Sequence, residues 1–440
     1  LKEHPVPIVP VDQRTPGGEV YFLQDQIAFD ACTRCGRCVD VCPATLAGEP
    51  FSPRDFLIWR RAQQREKYAS SGDNVARLAR VGTAPGDREL FRIERIWHCT
   101  TCRACVQVCP LSLSPPDAIR QARSGVVEEG TQMPSLLAQS LKYVFKYNNP
   151  WEATKKKRSR WSDPVTFPDL TEKDCPADLC YFVGCTTSMD TRAQGLARAL
   201  VRVLTHAGVA FGTLGNKEPC CGDIARRGGE DGLFEMKLEE TLDMFDRFNI
   251  REIITSSPHC FHTLAREYPL YQSPAASEKC AAWRVRHYSA LLWDLIQKGA
   301  LRFDHVLKRK VTYHDPCYLG RHNGIFDVPR RIITAVPGVD LVEMAHCRAD
   351  SLCCGGGGDR MWQEELDGEV KISSLRIKEA QATGAQLLIT ACPLCLIMLE
   401  DGRKAAGLES QLQVLDLNEF LLLALGLADS DRNEKEREQT

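Results

Sequence analysis

No excess of charge of one sign marks this chain: Lys and Arg total 56 against 58 for Asp and Glu, a formal net charge of -2 over 440 residues. Without a positive field there is no means of gripping a phosphate backbone, which argues against nucleic acid as a main partner. Long hydrophobic runs are also missing. The longest, around Phe420 to Ala428, is far shorter than the roughly 20 apolar residues a spanning helix needs, so no transmembrane segment is expected. Leu1 to Pro10 carry charges and prolines where a secretory leader would place a basic stretch and then an apolar one, and a reducing cytoplasm is expected. With 43% hydrophobic and 26% charged residues, the composition is neither disordered nor fibrous, and the length suits roughly two to four domains.

What the chain does have is 21 cysteines. Cys32, Cys35, Cys38 and Cys42, followed by Pro43, form C-x-x-C-x-x-C-x-x-x-C-P, and Cys99, Cys102, Cys105 and Cys109, followed by Pro110, repeat it. This is bacterial ferredoxin spacing: three thiolates in one tight loop hold three corners of a cube, and the fourth corner comes from the other motif. The expected sets are Cys32, Cys35, Cys38 and Cys109 for one [4Fe-4S] cluster, and Cys99, Cys102, Cys105 and Cys42 for the other. Zinc and disulfides are the competing readings of paired C-x-x-C elements, and the doubled four-cysteine pattern with its trailing proline favours iron and sulfide. A cube held by four thiolates has no open coordination position, so these two sites are electron wires.

Ser52-Pro53 and Ser114 to Pro116 read as helix entries, and helix formers resume from Ala138 to Lys146 after a break at Pro134. The expected organisation is a helical ferredoxin-like domain over 1–150 and a linker over 151–174 carrying the basic run Lys155 to Arg158. Two α/β domains follow over 175–305 and 306–428, then a polar tail over 429–440. Candidate strands are Leu179 to Val183, Glu252 to Thr255, Val311 to Tyr313, Leu341 to Met344 and Gln386 to Thr390. The stretch from Lys155 to Arg160 reads as a solvated linker, where a basic patch would suit an acidic partner.

The two α/β domains are copies of one module. Aligning Cys185 with Cys317 superposes Cys220-Cys221-Gly222 on Cys353-Cys354-Gly355, and Ser257-Pro258-His259-Cys260 on Cys392-Pro393-Leu394-Cys395. Cys317, Cys353, Cys354, Cys392 and Cys395 are one thiol more than a cube or a zinc tetrahedron requires, which points to a larger or irregular cluster. Gly355 to Gly358 would let backbone approach that centre and aim N–H groups at its sulfurs. His314 stands near as an acid–base candidate. The first module keeps Cys185, Cys220, Cys221 and Cys260, with Ser257 in place of the fifth cysteine. Its set suits zinc, with His259 as a substitute ligand, an ordinary cluster, or a merely structural pocket. Cys175, Cys180, Cys280 and Cys347 match nothing across the repeat and read as small buried hydrophobes.

Two ferredoxin motifs followed by two Cys…Cys-Cys-Gly…Cys-Pro-x-Cys modules resemble the HdrD-type proteins of heterodisulfide reductase, with DsrK, TmcB and HmcF sharing the layout. The iron–sulfur subunit of glycolate oxidase is similar too. The likeness runs from about Phe29 to Leu425. It implies a helical two-[4Fe-4S] domain followed by two α/β CCG domains, with a noncubane [4Fe-4S] cluster on Cys317, Cys353, Cys354, Cys392 and Cys395 that cleaves a disulfide or related sulfur substrate. Ser257 departs from the family's complete first module and leaves its occupant, a further cluster or zinc, open. The resemblance further implies a peripheral place on the cytoplasmic face of the membrane, beside a cytochrome b-type or quinone-interacting subunit. A second reading is an electron relay in a flavin-dependent glycolate or lactate oxidase-like complex. A third is a zinc-stabilised docking scaffold.

Overall fold

The computed structural model describes residues 29–69, 86–87, 89–130, 133–163, 165–172, 175, 177–271, 279–364 and 366–428. The expected polar tail and the N-terminal segment read for a leader lie outside them. The N-terminal part is helical: beside α1 (Pro53–Ala69), α2 (Pro115–Glu128) and α3 (Ser135–Tyr147), three short helices, Arg37–Asp40, Pro43–Leu46 and Ala104–Gln107, lie within or just after the cysteine motifs. Ser52 caps α1 by accepting from the Asp55 amide at 3.2 Å, as a Ser-Pro entry should. Ser114 precedes α2 without a side-chain cap. Proline at the first turn of α2 needs no capping acceptor for its missing N–H, so the helix begins there all the same.

Two parallel sheets form the rest. The first has the order β1–β2–β3, from Leu179–Phe182, Glu252–Thr255 and Arg284–His287. In the second, β5 (Val339–Leu341), β4 (Arg309–Tyr313), β6 (Leu387–Thr390) and β7 (Gln413–Asp416) lie in that order. Strands β1, β2 and β3 correspond to β4, β6 and β7, so the repeat seen in the cysteines is a repeat of the fold. The expected strand Leu341 to Met344 is shifted: the chain pairs with β4 earlier, over Val339–Leu341, and leaves the sheet after Val342 bonds to Val311. Strands β3 and β7 have no counterpart among the expected strands. Arg-Val-Arg-His holds one apolar residue and buries only His287, whereas Gln-Val-Leu-Asp is buried over Val414 to Asp416 but is too short an apolar run, its last buried position being Asp416, which caps the helix that follows.

The helices that clothe the sheets include α4 (Ala193–His206), α5 (Asp231–Arg247), α6 (Tyr288–Gln297), α7 (Ile372–Ala382), α8 (Pro393–Ala405) and α9 (Leu417–Ala424). The sheets share one core, in which Tyr181, Ile254 and Tyr288 of the first module pack with Val311, Tyr313, Ile389 and Phe420 of the second. Corresponding chain turns cap α6 and α9: His287 accepts from the Ser289 amide, and Asp416 from the Asn418 amide at 2.9 Å.

Asp416 is fully buried and also accepts from the Tyr288 hydroxyl at 2.9 Å. Burial pushes its carboxyl up to about 8. A carboxyl that holds its proton in the fold and loses it in the unfolded chain contributes stability that is complete below about pH 4 and is lost as pH rises to about 8. Asp416→Asn keeps the accepting oxygen and removes the ionisation. Its stability, read from the denaturation midpoint, is expected to match that of the parent chain at pH 3.5 and to exceed it increasingly as pH rises to 8.5, by up to a few kcal/mol. Equal midpoints at both pH values would refute the buried ionisation.

Candidate iron–sulfur centres

Each ferredoxin motif bends its loop in the same way. Arg34 and Thr101, at matching positions, have φ of 59° and 52°, and the next matching pair, Gly36 and Arg103, have φ of 86° and 62°. Left-handed backbone is costly for Thr and Arg, so it persists only where the surroundings over-determine it. The turns face the thiols inward, and backbone amides point at sulfur: Thr101 donates to Cys99 Sγ and Leu113 to Cys109 Sγ, both at 3.4 Å.

The chain brings Cys109 to Cys32, Cys35 and Cys38 around a cavity of about 20 Å³, and Cys42 to Cys99, Cys102 and Cys105 around another of about 20 Å³. Cys105 borders both cavities. Burial, together with the neighbouring thiolates, pushes Cys38 and Cys42 up to about 12 and Cys99 to about 11. Four thiolates gathered without water need cations among them, which a cluster's irons supply.

In the second module, Cys317 follows β4, Cys353 and Cys354 sit in the loop after β5, and Cys392 and Cys395 follow β6 at the entry to α8. All five are buried. Cys317 and Cys353 pack in one buried cluster and Cys354, Cys392 and Cys395 in another, with the adjacent pair Cys353-Cys354 joining the two. Cys317 and Cys353 share their buried cluster with Cys102 of the second ferredoxin motif.

His314 ends β4 with its ring against Cys354 and Cys395, all three donor atoms lying within 4.8 Å of one another. Its Nδ1 accepts from Arg376 Nε at 3.0 Å, which leaves the proton on Nε2. Burial and the adjacent guanidinium hold this imidazole well below its ordinary value, so it is a neutral donor and not an imidazolium acid.

The glycine run does two things, only one of them expected. Gly355 donates to Cys353 Sγ at 3.4 Å, and a side chain at Gly356 would collide with Met398. Gly357 and Gly358 lie instead against the second ferredoxin loop: a Cβ on Gly357 would stand 2.6 Å from the Thr100 carbonyl oxygen, and one on Gly358 would overlap that of Cys99. Half of the run therefore serves the close approach of two protein surfaces.

The first module gathers Cys185, Cys220, Cys221 and Cys260, all buried, beside a cavity of about 60 Å³ closed by Gly356 to Asp359 of the second module. Cys221 and Cys260 sulfurs are 3.4 Å apart, and Gly222 donates to Cys220 Sγ at 3.5 Å, as Gly355 does to Cys353. Ser257 caps its short helix, accepting from the Cys260 amide at 3.4 Å. His259 Nδ1 bonds Asp223 at 2.9 Å and its ring stacks on Tyr318 at 3.9 Å. A single zinc ion needs sulfurs roughly 3.8 Å apart around it. Among the described residues, His314, Cys354 and Cys395 form the one group of three whose donor atoms lie within 4.8 Å of one another.

Arg158 corrects the solvated reading of the linker. Lys155 to Lys157 are exposed, but Arg158 is 3% exposed, donating to Glu218 at 2.8 Å with both terminal nitrogens 3.6 Å from Cys185 Sγ. Glu218 in turn accepts from the amides of Val183 and Gly184. No local pattern distinguishes this arginine from its neighbours; its partners lie 27 and 60 residues away. Of the four unmatched cysteines, Cys180 and Cys280 are buried as expected, whereas Cys175 and Cys347 are only half-buried.

A model of the 4Fe-4S dicluster domain matches residues 28–113, and a model of the CCG cysteine-rich domain matches 179–265 and again 311–400. The HdrD polypeptide of the dihydromethanophenazine:CoB–CoM heterodisulfide reductase of Methanosarcina barkeri is 32% identical over 95% of this chain and 100% of its own length. The chain belongs to the HdrD family. Relatives of that family also occur inside larger proteins. The probable iron-sulfur-binding oxidoreductase FadF of Bacillus subtilis is 33% identical over 94% of the chain, and an EtfAB:quinone oxidoreductase of Syntrophomonas wolfei is 32% identical over 92%. The chain spans about three fifths of each of these two. Membership makes it an iron–sulfur protein of oxidoreductase type, with 4Fe-4S clusters in its ferredoxin domain. No helix among the described residues is long and apolar enough to cross a membrane.

Proposed function

We propose that the chain is the electron-transferring and catalytic iron–sulfur subunit of a heterodisulfide-reductase-like complex, acting on a disulfide or related sulfur substrate. The observation that carries this is that Cys102 of the second ferredoxin motif shares one buried cluster with Cys317 and Cys353 of the second module, so the five-thiol group packs against a ferredoxin-type set. Cys32, Cys35, Cys38 and Cys109 hold one [4Fe-4S] cluster, Cys99, Cys102, Cys105 and Cys42 the other, and Cys317, Cys353, Cys354, Cys392 and Cys395 a noncubane [4Fe-4S] cluster. When bound, these groups supply one-electron transfer and, in the second module, a place to reduce a sulfur–sulfur bond. His314 holds a proton at Nε2 beside Cys354 and Cys395, where a product thiolate would need one. Arg376 fixes that tautomer. The first module's Cys185, Cys220, Cys221 and Cys260, with Arg158 against Cys185, form a further thiol set that suits a cluster or zinc. Partners of this reading are a cytochrome b-type or quinone-interacting membrane subunit and a disulfide-bearing substrate, with the chain peripheral on the cytoplasmic face.

The relative named as an EtfAB:quinone oxidoreductase favours a second reading, a relay between a flavoprotein and an acceptor with no sulfur chemistry of its own. Anaerobic iron and sulfide analysis followed by mixing the reduced chain with disulfides, trisulfides and heterodisulfides separates the two. About 12 irons per chain and reoxidation by a sulfur substrate are expected, and about 16 if the first module is loaded. A fully loaded chain that no sulfur compound reoxidises, but an electron-transfer flavoprotein does, would establish the relay.

A further inference from the structure

Arg321 lies four residues after Cys317 and faces two of the thiol sets at once. Its Nε donates to the Cys102 carbonyl at 2.6 Å, and Nη1 to the carbonyls of Ala349 and Ser351 at 3.0 and 2.6 Å. Three bonds to backbone from two parts of the chain hold the guanidinium in one place. Nη2 is buried and has no hydrogen-bond partner, so one donor is left over in a region from which water is excluded. The acidic groups whose charges bear most on the guanidinium are Cys102, Cys317, Cys353 and Cys105, two from each set. The carboxylates nearest in sequence are held by other cations: Asp315 by Arg330 at 2.6 and 2.8 Å, and Asp327 by Arg348 at 2.6 Å.

A fixed positive charge between two centres favours the reduced form of both, because each one-electron reduction adds one negative charge and moves no atom. Burial makes that interaction stronger than it would be in water. We propose that Arg321 is a positioning cation shared by the second ferredoxin-type centre and the second-module centre, raising both reduction potentials together. The inference rests on the cluster assignment above. Its consequence is a level step between the two centres: a charge common to donor and acceptor moves both potentials and leaves their difference nearly unchanged. No bond forms or breaks, and the electrons come from the donor complex or, in the test, from dithionite.

The test is an EPR-monitored redox titration of the full chain with dithionite, alongside the variants Arg321→Gln and Arg321→Lys, each checked for iron content. Glutamine keeps an amide donor for the Cys102 carbonyl and loses the charge; lysine keeps the charge. With glutamine, both centres are expected to become about tenfold harder to reduce, about 59 mV for one electron. The centre on Cys32, Cys35, Cys38 and Cys109 is expected to stay in place, and lysine to hold both potentials near those of the parent chain. Unmoved potentials with glutamine, a shift in one centre alone, or loss of iron from the glutamine variant would each overturn the shared-cation role. A parent chain lacking the second-module signal would be a different failure, that of the cluster assignment, and would remove the proposal with it.

Discussion

Replacing Arg123 by methionine is expected to destabilise the fold by about 3–5 kcal/mol, because it leaves several buried acceptors unsatisfied at about 1–3 kcal/mol each, partly offset by no longer burying a cation. Arg123 sits on α2 and is 0% exposed. Its Nη1 donates to the Arg227 carbonyl at 2.9 Å and the Gly358 carbonyl at 3.1 Å, and its Nη2 to those of Ile96 at 2.8 Å and Cys99 at 3.0 Å. The guanidinium also lies 4.9 Å over the Trp97 ring. One side chain thus ties the second ferredoxin loop, the first module and the glycine run of the second module. Each charge-assisted bond contributes about 1.5–3 kcal/mol, offset by the desolvation of the cation. Methionine fills a similar volume and leaves four buried carbonyls without that donor. The measurement is the chemical denaturation midpoint of the iron-loaded chain under anaerobic conditions. A loss under about 1 kcal/mol would mean that water or a rearranged backbone satisfies the carbonyls. Electron transfer from the second ferredoxin-type centre into the second module is expected to slow with it, because Arg123 braces the loop that carries both Cys99 and Cys102.

What could be read from the sequence and what could not divide along a physical line. Strands β1, β2, β4 and β6 are short apolar runs because they are buried strands of parallel sheets, and such runs announce themselves. The cysteine sets were legible because a cluster fixes the spacing of its own ligands, and the alignment of Cys185 with Cys317 found the repeat because both modules place a thiol after the same strand. Strand β3 buries only His287, and β7 gives one of its three buried positions to the polar cap Asp416, so neither leaves an apolar run. Arg123, Arg158 and Arg321 were missed for a different reason: their partners stand as much as 235 residues away, and a buried arginine carries no mark that an exposed one lacks. The glycine run was seen and only partly understood. Four consecutive glycines exceed what one N–H to Cys353 requires, and that surplus was the available sign that Gly357 and Gly358 serve the contact with Cys99 and Thr100.

Cys392→Ser is expected to have the largest effect on activity, because it gives the second module the residue set of the first. Ser257 shows what a serine does at this position. It caps the short helix that carries Cys260, accepting from the Cys260 amide, and the fold of the first module is otherwise kept. Serine at 392 should therefore leave the entry to α8 intact, where Cys392 makes no side-chain cap of its own. Misfolding is then not the expected outcome; the loss is chemical. A hydroxyl at neutral pH is a poor ligand for iron beside sulfide, so the five-thiol group becomes a four-thiol group. Sulfur-substrate turnover is expected to fall at least about a hundredfold, the most that removal of an outer partner of a metal ligand brings about. The two ferredoxin-type centres should keep their EPR signals and potentials, since none of their cysteines is touched. Iron falls from about 12 to about 8 per chain if five thiols are required for assembly, and stays at about 16 with an altered signal if four suffice. In the first case the first module is expected to be empty of a cluster of this type, and in the second to hold one. Turnover that survives the substitution would show that Cys392 is dispensable to the chemistry. It would also move the search for the substrate site to the larger cavity beside Cys185, Cys220, Cys221 and Cys260.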